Sequence, residues 1–451
     1  MDNHLDRRRL LAVLGGAMTG LALEVAGVSL AEGPADGPRV EADFECGGGK
    51  RLRRIAPDHW RMETSGDQSF FTKYFCVRVT PGPNGAPAKL RLDVYPDSEF
   101  GDRGRQYFAS HFPSYIWSLS GNWPHRAATG PAGATALMQG IWGAGERWVP
   151  LQNARPDSVV FHDEFLELHV DLSAGKPVYV ASNPPYRYSD LVRWCQALAA
   201  AHPKRVEVTR LGMTPEGREI PLLRLRGSNA KVRFLVIAGQ HPAEHGGVWA
   251  AKGLVEYVLS SISEAKLLAD GLDLAVMPMM NPDGNVHGLS GANSQGIDLC
   301  KEWTGTSKAT PPKSAESRLL WEWIRSKFQP DLFLNLHSGL GWRELADPPY
   351  DGAILFAWEA DRFYQDPARA SAFCALRDRL AFQTPGVVNT AGGGMALTEE
   401  FLDYHLAAEF QTLAVLYHVN GGSVGALSQY RLGAQLFSAM AQAVLSDAPL
   451  R

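Results

Sequence analysis

The amino-acid sequence predicts an all-β sandwich followed by an α/β domain whose sheet carries helices on both faces. Three observations predict it. From about Glu41 to Asn183 short strand-like runs alternate with turn signals, the pattern of a sandwich. From about Pro184 helical stretches alternate with fully apolar strand runs, as a sheet buried on both sides requires. The apolar run that begins at Val232 then stops on a polar turn, Gln240-His241-Pro242-Ala243-Glu244, where such a sheet delivers reactive side chains to its edge.

The first residues stand apart. Asp6-Arg7-Arg8-Arg9-Leu10-Leu11 precedes the moderately apolar AVLGGAMTGLALEVAGVSLA, with small residues Ser29 and Ala31 for cleavage, and residues 1–31 read as a twin-arginine export signal. The expectation is a folded protein delivered to the periplasm without a stable membrane anchor. A permanent span is the competing reading. The glycine pairs, the short apolar stretch and Glu24 count against it, because a charge in lipid is costly.

Residues 32–183 are expected to form the sandwich, with strands in FFTKYFCVRVTP, AKLRLDVYP, ERWVPLQ and FLELHVDLS separated by PGPNG, GPAG and SAGK. Five of the twelve tryptophans fall here (Trp60, Trp117, Trp123, Trp142, Trp148), and packing in the core or between domains explains them before a carbohydrate platform does. Residues 184–451 are expected to form the α/β domain. Its helices lie in LVRWCQALAAAH, GVWAAKGLVEYVLSSI and SAESRLLWEWIRSKF, and its strands in VRFLVIAG, LDLAVMPMM, DLFLNL and TLAVLY.

Composition excludes little but excludes it cleanly. The 451 residues are 45% hydrophobic and 20% charged, enough for two cores. A formal net charge of -4, without a basic run beyond the N-terminus, leaves no electrostatic footprint for nucleic acid. Five cysteines form no CxxC pair and are odd in number, so at least one thiol is free; a Cys46–Cys76 bridge stays open.

His241 and Glu244 lie three residues apart on a tight turn or first helical turn, so both side chains point one way and can grip one metal. His337, at the end of the strand-like run from Asp331 to Leu336, supplies a third ligand. Two imidazoles and one carboxylate with a position left for water are a catalytic zinc set, and one Zn2+ per chain is expected. His245 and His287 read as hydrogen-bonded or solvent-facing.

HPAEHGGVWAAKGLVEYVLS, VMPMMNPDG, GIDLCKEW and LNLHSG, in this order and spacing, resemble the zinc metallocarboxypeptidases of the carboxypeptidase A superfamily, most closely the cytosolic carboxypeptidase-like branch. VYVASNPPYRYSDLVRW and LGMTPEGREIPLLRLRG upstream resemble that branch's lead-in segment and hairpin. The resemblance implies a mixed eight-stranded sheet flanked by helices, a preceding β-sandwich, and hydrolysis of peptide bonds in a peptide or peptide-like substrate. It also implies that Asp298 hydrogen-bonds His241 and fixes its tautomer. A helix cap or surface carboxylate is the alternative for Asp298.

The departures fall on substrate-handling positions. The asparagine and arginine that clamp a substrate's terminal carboxylate in the family are here Cys300 and Lys301, which keep a charge and lose the bidentate fork. A gap-free walk from NPDG to GIDL places Gly291 where the family has the carbonyl-polarising arginine, and matching FQTLAVLYH to the family's late strand FTLE places Ala414 at its general-base glutamate. Glu409, Glu399, Glu400 or His418 then enters as substitute base, with Glu409 first because it leads into the late strand. Glu399 and Glu400 also read as a helix N-terminus capped by Thr398. Arg343 faces either the cleft or solvent. Two functions follow: a rebuilt zinc-dependent hydrolase, or a zinc-holding pseudoenzyme that binds a peptide or cell-wall fragment without turnover.

Overall fold

The computed structural model describes residues 37–67, 74–111, 115–121, 123, 148–153, 155–307, 310–339, 352–355, 364–384, 387–389, 398–422 and 424–446. The export-signal segment 1–31, Trp142 and Arg343 lie outside the described residues.

The amino-terminal part forms two five-stranded sheets. One places Cys76–Thr80 between Arg39–Glu41 and Val178–Ala181 and continues through Trp117–Ser120 to Val149–Pro150. The other runs Lys50–Ala56, His59–Glu63, Lys89–Tyr95, Leu166–Asp171, Val159–Phe161. Strict alternation places Leu166, Leu168 and Val170 in the core with Leu90, Leu92, Val94, Val77 and Val79, and polar residues outward. Trp60 joins that core. An α-helix at Gly101–His111 is additional to the strand pattern read from the sequence, because GDRGRQYFASH has no apolar stripe to announce it.

The second part is built on one eight-stranded mixed sheet. Its strand order is Glu207–Met213, Glu219–Arg226, Leu272–Met277, Val232–Ala238, Leu332–Gly339, Leu413–Asn420, Gly352–Leu355, Val387–Asn389. The four central strands, from Leu272–Met277 to Leu413–Asn420, run parallel to one another. Leu272–Met277 and Leu332–Gly339 are buried at every residue, which is why they read as continuous apolar runs. Helices His245–Leu259 and Ala426–Ser446 pack together against this sheet. They close so tightly that a Cβ on Gly433 would lie 1.8 Å from the Ala250 carbonyl oxygen. Among the described residues no helix is long and apolar enough to cross a membrane.

The two parts meet directly under the HPAE turn. Tyr74, Cys76, Leu119, Trp123, Tyr179 and Ala181 of the sandwich bury Ala243, with Trp148 packed against them. Asn183 Nδ2 donates to the Ala243 carbonyl at 2.6 Å. All five cysteines are free, so Cys46 and Cys76 are not bridged. Cys46 Sγ instead donates to Asn285 Oδ1 at 3.2 Å, and burial pushes its thiol well above the usual range.

Candidate metal centre

The carboxyl ends of the parallel strands bring the reactive residues together, as expected where neighbouring strands lead into opposite connections. After Val232–Ala238, Gly239 turns the chain at a φ of +66° that favours glycine, and Asn281 of NPDG pins the turn. Its backbone N–H donates to Gly239 O at 3.0 Å and its Nδ2 to Gln240 O at 3.1 Å. Asn281 also caps the short Pro282–Val286 helix, while Asp283 accepts from Thr214 and Arg218 of the hairpin, 2.7 Å each. His241 is thereby presented at a fixed angle, and Glu244 sits at the N-cap of the His245–Leu259 helix.

That helix approaches the Leu332–Gly339 strand without room for side chains. A Cβ on Gly247 would meet the Leu336 carbonyl oxygen at 2.5 Å. The close approach carries Glu244 to His337. Glu244 Oε1 lies 3.0 Å from His241 Nδ1; its Oε2 lies 2.9 Å from His337 Nδ1 and accepts from Ser338 N at 2.8 Å. The opposite ring nitrogens are braced from behind: His241 Nε2 donates to Asp298 Oδ1 at 3.1 Å, and His337 Nε2 to Gln240 Oε1 at 2.9 Å. Each imidazole therefore turns Nδ1 toward the shared carboxylate and holds its tautomer through Nε2.

Cys300 lies beside the two histidines. Ligating atoms of His241, Cys300 and His337 lie within 4.8 Å of one another. Relative exposures are 5% for His241, 4% for Glu244, 2% for His337 and 4% for Cys300, so all four side chains are buried. Burial alone would drive His241 down, but Glu244 and Asp298 override it and hold the ring well above its ordinary value. Burial likewise opposes protonation of His337, yet Cys300 and Glu244 push it up to about 9. Burial would raise Glu244, and the two facing imidazoles hold it well below the carboxylate range. Two imidazoles and a carboxylate converging in this way are a donor set that fits zinc.

The remaining sequence expectations separate by position. Asp298 reaches His241 and also accepts from Cys300 N at 2.9 Å, so it is neither a helix cap nor a surface carboxylate. Lys301 is exposed beside it. Gly291 N donates to Asp67 of the sandwich, as does Ala292 N at 2.9 Å. His245 is buried 3.3 Å from Tyr74 Oη, and His287 pairs with Glu216 at 2.7 Å.

The late strand requires a correction. His337 pairs directly with His418, whereas Ala414 pairs with Phe333, four residues toward the strand start and roughly 13 Å along it. The ring beside the cluster is His418, stacked on His337 at a centroid distance of 5.4 Å and 12°. Glu409 is corrected for the same reason. It ends the Leu402–Phe410 helix, before Leu413–Asn420 begins and hence at the far end of that strand, 3.8 Å from His405 Nδ1. Glu399 and Glu400 precede that helix, which begins after Phe401 without a side-chain cap, so Thr398 does not cap it. Sequence reading missed Gln240 and Asp403. Nothing in the apolar pattern marks Gln240, and the Asp403 carboxyl is buried against Asn335 Nδ2 at 2.9 Å, two strand positions before His337.

Fold and donor set together define a protein of the zinc carboxypeptidase type, and residues 191–351 match the zinc carboxypeptidase family. That match covers about a third of the chain, and over it the chain is similar to zinc carboxypeptidases. It is 34% identical over 116 residues to cytosolic carboxypeptidase 3 of Bos taurus, covering 25% of this chain and 12% of that protein. Against cytosolic carboxypeptidase 1 of Homo sapiens it is 28% identical over 177 residues, 36% of this chain and 14% of that one. The match thus spans well under a fifth of either relative. In fold it resembles a metallo-carboxypeptidase from Burkholderia cenocepacia, with a TM-score of 0.70 at 19% identity over 91% of this chain and all (100%) of that one. A metallo-carboxypeptidase from Pseudomonas aeruginosa, solved with (2-guanidinoethylmercapto)succinic acid, gives 0.68 at 21% identity over 92% and 100%.

Proposed function

We propose that this chain is a zinc-dependent hydrolase of peptide (amide) bonds, holding one zinc on His241, Glu244 and His337 and working in the periplasm after twin-arginine export. The observation that carries the reading is the convergence of two Nδ1 atoms on one buried carboxylate, each ring braced through Nε2. Zinc at such a set supplies Lewis acidity, polarising a carbonyl and lowering the pKa of water to about 7.

The chain's own residues supply the rest. Asp298 and Gln240 keep the imidazoles in ligating orientation. His418, beside His337 on the neighbouring strand, takes the proton from the attacking water in place of a carboxylate. Lys301 offers a single exposed ammonium to a substrate anion, a looser hold than a guanidinium fork. Gly291 brings no cation to a developing oxyanion, and its N–H is engaged by Asp67. That loss supports the second reading, a zinc-holding protein that binds a peptide or cell-wall fragment without turning it over.

The test is a mass-spectrometric cleavage profile of the zinc-loaded mature chain on a mixed peptide library, beside Glu244→Ala. Metal-dependent release of C-terminal residues establishes a carboxypeptidase, and internal cuts establish an altered reaction. Absence of turnover with zinc bound moves the assignment to the binding role.

A further inference from the structure

We propose that Cys300 is a fourth protein ligand of the metal, so that the resting centre is a closed His241, Glu244, His337, Cys300 set rather than a three-residue set with an open position. The inference rests on the metal-site reading above and goes beyond it.

The resemblance gives position 300 the role of a substrate-carboxylate clamp, but the structure turns its side chain elsewhere. Cys300 is buried, and its Sγ lies within 4.8 Å of a ring nitrogen of His241 and one of His337. Ligand atoms on one tetrahedral zinc, with bonds of about 2.0 to 2.3 Å, lie roughly 3.5 Å apart, so only a small inward movement is needed. The placement is built by the same turn that braces the histidines. One oxygen of Asp298 accepts from both His241 Nε2 and the Cys300 backbone N–H. The intervening Leu299 carbonyl accepts from Gln240 Nε2 at 3.0 Å, and Gln240 Oε1 holds His337. Asp298, Leu299 and Cys300 are therefore fixed in register with both imidazoles.

Thiolate sulfur is a preferred zinc donor, and four protein ligands leave no place for water. When the sulfur–metal bond forms, the thiol proton leaves to solvent and nothing is oxidised. Hydrolysis then requires the Cys300 sulfur to leave the metal first. No other cysteine among the described residues has such surroundings; Cys195, for example, is buried in the core with its thiol pushed up to about 12 by burial.

Two measurements on the full mature chain decide it. Zinc X-ray absorption of the wild type should show one sulfur scatterer at about 2.3 Å. Cobalt(II) in place of zinc should give one cobalt per chain with a near-ultraviolet thiolate charge-transfer band. Cys300→Ser should lose that band while keeping one cobalt, and Cys374→Ser should keep it. A stoichiometric metal without a sulfur scatterer, or a band that persists in Cys300→Ser, overturns the proposal and leaves the three-ligand reading standing. Failure of the wild type to retain zinc or cobalt overturns both.

Discussion

His337 and His418 occupy directly paired positions on neighbouring parallel strands, and their rings stack 5.4 Å apart at 12°. Because paired residues point to the same face, His418 stands on the side of the sheet to which His337 turns its ring. His418→Ala is expected to lower turnover by about 10² to 10⁴ with zinc content unchanged. Steady-state kinetics with metal analysis checks it; an unaltered kcat would falsify the role given to His418.

Zinc affinity should rise with pH. His337 is held up to about 9 and His241 is also raised, so in the metal-free chain both rings carry protons that a metal must displace. The sign is fixed: as pH falls below about 9, protons compete better and affinity drops, about tenfold per unit for each proton displaced. Chelator competition across the neutral and alkaline range reads the slope, and a flat profile contradicts the protonated cluster.

Asp298→Asn keeps the shape of the side chain and removes the charge that orients His241. Zinc affinity should fall by about 10- to 100-fold while thermal stability of the metal-free chain changes little. Equal affinity in the two proteins would leave Asp298 with a merely structural part.

Gly247→Ala places a methyl 2.5 Å from the Leu336 carbonyl oxygen. Because the neighbour is backbone, the helix must shift, at a cost of about 1 to 3 kcal/mol in urea unfolding, and Glu244 moves with it. Weaker zinc binding should accompany the destabilisation; loss of stability alone would separate packing from the site.

Asp403 should make stability pH-dependent. Burial raises its carboxyl to about 6, although Asn335 donates to it, and Asp403 Oδ1 and Asn335 Oδ1 are left buried without partners. A folded-state pKa above the unfolded one stabilises fully below about pH 4, and the contribution is lost as pH rises through about 6, roughly 3 kcal/mol in all. Tyr364 and His337 are the other titratable groups that sense this carboxyl. Asp403→Asn should flatten this difference in unfolding curves of the metal-free chain; parallel curves for the two proteins would remove Asp403 as its source.

Much of this was legible in the sequence because local chemistry enforces it. The buried strands at Val232–Ala238, Leu272–Met277 and Leu332–Gly339 read as apolar runs, since helices on both faces leave no polar side to show. His241 and Glu244 were readable as a pair because three residues of turn fix their mutual direction. The Gly101–His111 helix was hidden because it carries no apolar stripe.

What the sequence determined by itself is the donor inventory and the strands that deliver it, since periodicity and short-range geometry are local properties. Which residue stands beside His337 was decided only by tertiary structure. A strand register is set by pairing between segments about eighty positions apart, and a walk along one segment cannot supply it. The same holds for Cys300. Its neighbours in sequence cast it as a substrate clamp, and the hydrogen bonds through Asp298 and Gln240 turn it toward the two imidazoles.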